Sequence, residues 1–228
     1  VTELTNYANQ KCNGQDSVTL QTAFALSCNT AFVEMSEQIG ADELRKYAKA
    51  FGVGENYDLG VSTSGGTLGD LPDGAATAQS AIGQRDVTMT ALQAAVMAGT
   101  VANKGTRMQP YLVNRITDAQ MKDVRTTKPK KADQAVNEET AATLTDLMYA
   151  SERSSWGYDG NGFASKTGTA EHGEGLAPHV WYVAFDPERD IAVGVVVKNG
   201  GNLGESATGG KVSGPIGRAI LRAYQGEQ

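Results

Sequence analysis

The sequence predicts a mixed α/β fold in which helices cover an antiparallel sheet, and three observations support this prediction. Strand-like segments follow one another closely at 163–170, 180–185 and 191–197. The last two are joined by the short charged segment 186–190, which contains a proline and is typical of a hairpin. Helical patterns lie towards both ends of the chain. Strands so close in sequence favour an antiparallel meander over a doubly wound parallel sheet, whose strands need long crossovers.

The first fifty residues predict three short helices. Ser17 is a suitable N-cap for the first of them. The polar run 27–30 then interrupts the apolar pattern. A second helix is predicted over 29–39, ending at Gly40, and a third over 43–51.

The middle of the chain alternates between loops and helices. Residues 52–80 form a connector rich in glycine, serine and threonine, either a structured excursion or a mobile rim. A largely buried helix is predicted over 90–103. Its core face is predicted from the i, i+3, i+4, i+7 spacing of Leu92, Ala95, Val96 and Gly99. One or two strands are expected near 111–116, and 117–135 has the composition of a charged hairpin or loop.

The last hundred residues predict the remaining helices. Asn137 is a suitable N-cap for a helix that runs to about residue 151. A loop over 154–162 leads into the strands, and a glycine-rich loop over 200–210 precedes a closing helix over 212–224. No internal repeat and no domain boundary is visible, so residues 1–228 are interpreted as one domain.

Composition and charge exclude several classes of function. The net charge of −6 argues against a nucleic-acid-binding surface. No apolar run approaches the roughly 20 residues that span a bilayer, so any membrane anchor is expected upstream of Val1. The two cysteines, Cys12 and Cys28, are too few for a metal site on their own, and no Cys-x-x-Cys motif is present. They can form a disulfide or remain separate thiols.

Two short motifs are candidates for catalysis. Lys166-Thr167-Gly168-Thr169 combines a cation, two hydroxyls and a glycine on one strand, which suits an extended ligand with a carboxylate. The alternative is an edge strand that carries a solvated lysine. Ser27-x-Asn29 places a hydroxyl and an amide at a helix break, which is also ordinary helix-cap chemistry. Serine, lysine and asparagine together can transfer acyl groups without histidine.

The chain resembles the transpeptidase domain of class B penicillin-binding proteins, most closely the actinobacterial penicillin-binding protein A group. The similarity extends over nearly the whole chain. It is carried by segments 19–32, 82–84, 90–93, 102–105, 166–170 and 209–216. One departure is Ala91, where the family often has proline. The resemblance implies a serine β-lactamase/transpeptidase-like fold and no cofactor or metal.

The resemblance also implies roles for the motif residues. Ser27 would relay a proton, and Asn29 would bind the peptide carbonyl of the substrate. Lys166 would set the electrostatics around Ser27 and the substrate carboxylate. The substrate-binding residues would be Thr167, Gly168 and Thr169. The two hydroxyls would bind the substrate carboxylate, and the N–H of Thr169 would contribute to an oxyanion hole.

A disulfide between Cys12 and Cys28 is a further expectation from the resemblance, which places both cysteines on the extracytoplasmic side of the membrane. One of them also lies within the Ser-x-Asn motif. Closing this loop would stabilise the chain by roughly 3 kcal/mol.

The family nucleophile lies in a Ser-x-x-Lys motif, and no such motif occurs between Val1 and Gln228. We therefore interpret the chain as the C-terminal portion of a transpeptidase domain, whose nucleophile belongs to an upstream segment of the same protein. The expected partners are peptidoglycan stem peptides and β-lactams. The alternatives are a D,D-carboxypeptidase or β-lactamase, in which water accepts the acyl group, and a catalytically silent penicillin-recognising sensor or scaffold.

Overall fold

The main sheet is a three-stranded antiparallel meander, as predicted. The computed structural model describes residues 4–6 and 9–226. Its strands β5 (Ala164–Ala170), β6 (His179–Asp186) and β7 (Ile191–Val197) are hydrogen-bonded in the order β5-β6-β7. Strand β5, which carries the lysine motif, therefore pairs through one edge only.

Two smaller antiparallel pairs precede this sheet. Strand β1 (Thr106–Met108) pairs with β4 (Lys131–Gln134), and β2 (Arg115–Thr117) pairs with β3 (Asp123–Thr126). One of the strands expected near 111–116 is β2, which overlaps that range at Arg115 and Ile116, whereas β1 lies before it. The charged segment 117–135 forms a hairpin only in part: β3 returns to pair with β2, but β4 pairs with β1.

The N-terminal helices begin and end differently from the prediction. Helix α1 spans Leu20–Ala25, and its N-cap is Thr19 rather than Ser17, because Thr19 Oγ1 accepts a hydrogen bond of 3.2 Å from Thr22 N. The second and third predicted helices form one element, α2 (Asn29–Ala50), interrupted at Gly40, whose φ is +77°. Glycine tolerates this conformation, so the chain changes direction there.

Helix α3 (Gly74–Ala81) was missed, since the sequence assigned residues up to 80 to the connector. Its start is fixed by Asp73, whose Oδ1 accepts from Ala76 N at 2.8 Å. Helix α4 (Ala91–Ala102) begins with a capping box, in which Thr90 and Gln93 each bond the other's backbone N–H. Both starts therefore follow ordinary capping chemistry.

The core face of α4 is displaced by about one residue from the prediction, since Ala95 and Gly99 do lie against β7 but their neighbours are the buried residues. The buried apolar residues of the helix are Ala94, Ala98 and Val101, whereas the predicted face is only half-buried. Because α4 is apolar around most of its circumference, the spacing alone cannot identify the buried side. The buried side of α4 is set by its packing against strand β7. A Cβ added at Gly194 would lie 2.3 Å from the carbonyl oxygen of Ala91, so the backbones of helix and strand are in close contact.

The remaining helices, α5 (Glu138–Ser154) and α6 (Ser213–Gln225), complete three layers. Alternate strand residues point to opposite faces of the sheet. One face packs with α4 and α5 in a cluster of Ala98, Val101, Met148, Ala164 and Phe185. The other face packs with α6 in a cluster of Phe163, Tyr182, Ala184, Val193 and Leu221. Within the described residues no helix is long and apolar enough to cross a bilayer.

Candidate active site

Ser27 lies in a left-handed turn between α1 and α2. Its φ is +56°, and the turn is a Schellman motif: Cys28 N bonds the carbonyl of Ala23 at 2.9 Å, and Ser27 N bonds that of Phe24 at 3.2 Å. Glycine usually occupies this position, because a side chain is strained there. The turn thus holds Ser27 in a strained conformation at the break between the two helices.

The start of α2 is held by residues before the motif. Asn6 Oδ1 accepts hydrogen bonds from Thr30 N at 3.0 Å and Thr30 Oγ1 at 3.2 Å, so it caps a helix whose own N-cap side chain makes no such bond. Cys28, which is buried, forms a disulfide with Cys12, and their Cα atoms are 5.6 Å apart. The turn is therefore fixed on its α2 side.

Lys166 meets Ser27 across a sequence separation of 139 residues. Its Nζ donates to Ser27 Oγ and, at 2.9 Å, to the carbonyl of Thr167, and it lies 5.8 Å from the centre of the Phe24 ring. Burial lowers the pKa of Lys166 to about 8. The structure thus forms a serine–lysine pair in which the lysine can change charge near neutral pH.

Asn29 is two residues from Ser27 but is engaged elsewhere. Its Nδ2 donates a hydrogen bond of 3.1 Å to the main-chain carbonyl of Thr5. The structure therefore joins Ser27 and Lys166 to each other, whereas Asn29 holds a peptide carbonyl of the chain itself. The role expected for Asn29 is to bind a peptide carbonyl of the substrate, and the carbonyl of Thr5 is an acceptor of the same kind.

The rest of the lysine motif faces neighbouring backbone. The hydroxyl of Thr169 accepts from Gly209 N at 3.4 Å. A Cβ added at Gly209 would lie 2.7 Å from the carbonyl of Gly168, so the loop before α6 packs directly on β5. A Cβ added at Gly168 would be 3.3 Å from Trp181 Cβ, so the neighbouring strand also favours a glycine here.

A buried polar cluster beneath β5 was not predicted. Glu152 is fully buried and forms an ion pair with Arg218, with Arg218 Nε 2.6 Å from Glu152 Oε1. The same carboxylate accepts hydrogen bonds from Asn161, Ser165 and Tyr182. One signal could have found it: Glu152 lies four residues after the buried Met148 on α5, and Arg218 lies three before the buried Leu221 on α6.

The two histidines stack on each other. The ring centroids of His172 and His179 are 4.0 Å apart, His172 Nε2 bonds the carbonyl of Ala177 at 2.9 Å, and His179 Nδ1 accepts from Asn199 N at 3.1 Å. Neither ring has a hydrogen bond to Ser27 or Lys166 in the described part of the chain. These contacts give no support to a serine–histidine triad.

Known proteins are similar to this chain in sequence and in fold. The penicillin binding protein transpeptidase domain matches residues 2–222. The peptidoglycan D,D-transpeptidase PbpA of Mycolicibacterium smegmatis is 44% identical over 96% of this chain and 46% of its own length. PbpA of Mycobacterium tuberculosis is 42% identical over 99% of this chain and 48% of its own.

A solved structure extends the likeness to three dimensions. Penicillin-binding protein A from M. tuberculosis, as a ceftriaxone acyl-enzyme complex, superposes with a TM-score of 0.91 at 41% identity, covering 96% of this chain and 51% of that one. The chain thus spans about half the length of the relatives it matches. These likenesses show that the chain belongs to the penicillin-binding protein transpeptidase domain family.

Proposed function

We propose that this chain is part of a peptidoglycan D,D-transpeptidase that cross-links stem peptides and is acylated by β-lactams. The observation that carries the proposal is the contact between Lys166 Nζ and Ser27 Oγ. It joins the two motifs of the family at the open edge of β5. An extended peptide can add to that edge as a further strand.

The reaction is acyl transfer through a serine ester. A serine hydroxyl attacks the carbonyl carbon of the penultimate D-alanine, the bond to the terminal D-alanine breaks, and that residue leaves as an amine. An acceptor amine then attacks the ester and releases the serine. The nucleophile is proposed to lie in a Ser-x-x-Lys motif upstream of these residues, since none occurs within them.

The residues of this chain bind the substrate and move its protons. Ser27 Oγ passes a proton to the leaving amine, and Lys166 stabilises the negative charge that develops beside it. Asn29 donates to a peptide carbonyl of the substrate, as it does now to that of Thr5. A pKa of about 8 leaves Lys166 mostly protonated at neutral pH and easily discharged above it.

Carboxylate recognition is assigned to the lysine motif. Thr167 and Thr169 supply hydroxyls from the same strand as Lys166, and the N–H of Thr169 contributes to the oxyanion hole. Gly168 shares a face of the strand with Lys166 and leaves that face free of a further side chain. The terminal carboxylate of a stem peptide and the carboxylate of a β-lactam would bind at the same place.

Stem peptides lie outside the cytoplasm, so we propose an extracytoplasmic location with a membrane anchor outside this chain. The disulfide between Cys12 and Cys28 supports this location, because disulfides persist in oxidising compartments.

Mass mapping of a penicillin adduct tests the proposal. In the full-length protein the adduct is expected on a serine of an upstream Ser-x-x-Lys motif, and residues 1–228 expressed alone should form none. An adduct on Ser27 would overturn the placement of the nucleophile. Thr30 stands three residues after Ser27, where that motif needs lysine.

The fate of the acyl group separates transpeptidase from carboxypeptidase and β-lactamase. With a donor stem peptide and an amine acceptor, a cross-linked product is expected. Release of D-alanine with no product that contains the acceptor would show that water is the acceptor. Failure of the full-length protein to react with either substrate or penicillin would favour a silent sensor.

A further inference from the structure

We propose that Glu152 is a positioning residue for Lys166: through Ser165 it fixes the rotation of strand β5 and so holds the ammonium against Ser27. The inference rests on the proposed function, because it deepens the role of Lys166 in acylation. The strand residues that Glu152 contacts, Ser165 and Tyr182, point to the α6 face of the sheet, opposite to Lys166. Glu152 would therefore act without touching substrate.

Lys166 has no counter-ion to hold it in place. Among the described residues no ion pair includes it, and its hydrogen bonds go to a neutral hydroxyl and a neutral carbonyl. Strand β5 pairs with β6 along one edge, and its other edge is unpaired within the sheet. The direction of the lysine side chain therefore depends on the contacts that β5 makes on its other face, which points towards α6.

Glu152 provides the contact that anchors β5 on its α6 face. Its Oε2 accepts from Ser165 Oγ and, at 3.0 Å, from Tyr182 Oη. Its Oε1 accepts from Arg218 Nε at 2.6 Å and from Asn161 Nδ2 at 2.9 Å. One carboxylate thus joins α5, α6, β5, β6 and the loop before β5, and Glu152 and Ser165 are both fully buried.

The carboxylate stays ionised and is therefore a constant acceptor. Burial by itself would raise the pKa of Glu152, but hydrogen bonds from Arg218, Ser165 and Asn161 outweigh it and lower the pKa. Burial raises the pKa of Tyr182, which keeps its hydroxyl protonated as a donor. The cluster therefore keeps one hydrogen-bonding pattern across the working range of pH.

Arg218 is fixed at the centre of the cluster. Its Nη1 donates to the carbonyl of Trp156 at 3.1 Å, and its guanidinium lies 5.6 Å from the ring centre of Tyr182. Its Nη2 is buried and has no hydrogen-bond partner in the described structure. Buried ion pairs often add little to stability, because desolvation offsets their attraction. A pair that is costly to bury and tied to the lysine strand fits a role in geometry.

The position of Ser165 determines that of Lys166. Successive strand residues point to opposite faces, so anchoring the Ser165 side chain on the α6 side fixes the direction of the Lys166 Cβ on the α4 side. If the anchor is lost, β5 can turn about its axis, and the ammonium moves away from Ser27 towards water. Misplacement by about 1 Å can slow an enzymatic step by roughly a hundredfold.

Ser165→Ala in the full-length protein tests this inference. It removes the hydroxyl that bonds Glu152 but leaves the buried ion pair intact, whereas Glu152→Gln would leave Arg218 unpaired and endanger folding. The matched control is Ser36→Ala, since Ser36 is equally buried and its Oγ bonds the carbonyl of Val33 at 2.7 Å within α2. Both variants lose one buried hydroxyl, and Ser165→Ala should lose more thermal stability, because its partner is a charged carboxylate and Ser36→Ala gains helix propensity.

The readouts are the rate of penicillin acylation and its dependence on pH. For Ser165→Ala we expect acylation to slow by about tenfold. We also expect its basic limb to move to higher pH, since a displaced, more hydrated lysine returns towards its ordinary pKa. Ser36→Ala should keep the wild-type rate and profile. A shift confined to Ser165→Ala is an effect that a merely structural role would not produce.

Two results would overturn the inference, and they are distinguishable. If Ser165→Ala loses thermal stability but is acylated at the wild-type rate with the wild-type profile, the cluster is structural only. If the wild-type protein itself is not acylated by penicillin, the proposed function fails, and the positioning role fails with it.

Discussion

Replacing Ser27 by glycine should make the protein more stable while it removes activity. A left-handed conformation costs a residue with a side chain about 1–2 kcal/mol, and glycine avoids this cost. Against this, the greater freedom of glycine in the unfolded chain lowers the stability of the folded state by about 0.5–1 kcal/mol. Since Ser27 has φ +56° and is exposed, its hydroxyl adds little burial energy. The net expectation is a gain of about 0.5–1 kcal/mol relative to a residue that keeps the strain.

Ser27→Ala is the matched control, because it also removes the hydroxyl but keeps the side chain in the left-handed region. Calorimetry of the full-length protein should place the transpeptidase transition of Ser27→Gly about 1–4 °C above that of Ser27→Ala. Acylation by penicillin should fall at least a hundredfold in both variants, since both lack the oxygen that contacts Lys166.

Equal melting temperatures of the two variants would show that the turn is not strained. Acylation near the wild-type rate in either variant would instead remove Ser27 from the proton path. The stability measurement and the rate measurement therefore test separate parts of the reasoning.

The other expectations concern three further features. Lys166→Ala should slow penicillin acylation by roughly a hundredfold or more, about 2.7 kcal/mol, with little change in Tm; a rate within about threefold of wild type would reject the assignment. In the wild-type protein, acylation should decline above pH 8, because the pKa of Lys166 is about 8 and the ammonium is lost there; a decline that begins only near pH 10 would contradict this. Gly217→Ala should destabilise by about 1–3 kcal/mol, measured by denaturant unfolding, since the new Cβ would lie 2.2 Å from Tyr182 Cδ1. Reducing the disulfide between Cys12 and Cys28 should cost roughly 3 kcal/mol; two free thiols in the non-reduced protein would rule the bond out.

Two of these changes have controls within the chain. Lys198 is exposed, so Lys198→Ala should change neither acylation nor stability appreciably. Gly99 lies within α4, and a Cβ there would be 3.6 Å from Ala192 Cβ, an ordinary contact. Gly99→Ala should therefore stabilise by about 0.5–1 kcal/mol, opposite in sign to the change at Gly217.

The sheet could be predicted from the sequence because its signals are local. Three apolar segments and a short charged turn define β5, β6 and β7 without any information about distant contacts. The buried side of α4 could not be predicted in this way. That helix is apolar almost all round, and its orientation depends on the close approach of Gly194 to Ala91, which only tertiary packing determines.

The candidate site was also predictable only in part. Resemblance identified Ser27 and Lys166, and the structure places their side chains in contact. The ion pair between Glu152 and Arg218 was missed because the two residues lie on different helices and are 66 positions apart in the sequence. Helical periodicity could show only that both lie on inward faces. The left-handed turn was missed because serine rarely adopts that conformation, so nothing at Ser27 marks it.

The serine side and the lysine side of the site are in contact with each other, and each is held in place by contacts of its own. The serine side is a strained turn, fixed by the disulfide at Cys28 and by the contact of Asn6 with α2. The lysine side is an edge strand, fixed from behind by Glu152. Neither anchor lies at the edge of β5 that is unpaired in the described part of the chain, so the extended peptide proposed above would leave both anchors in place. Catalysis by pre-set electrostatics needs this rigidity, because groups that must reorient during the reaction lose much of their effect.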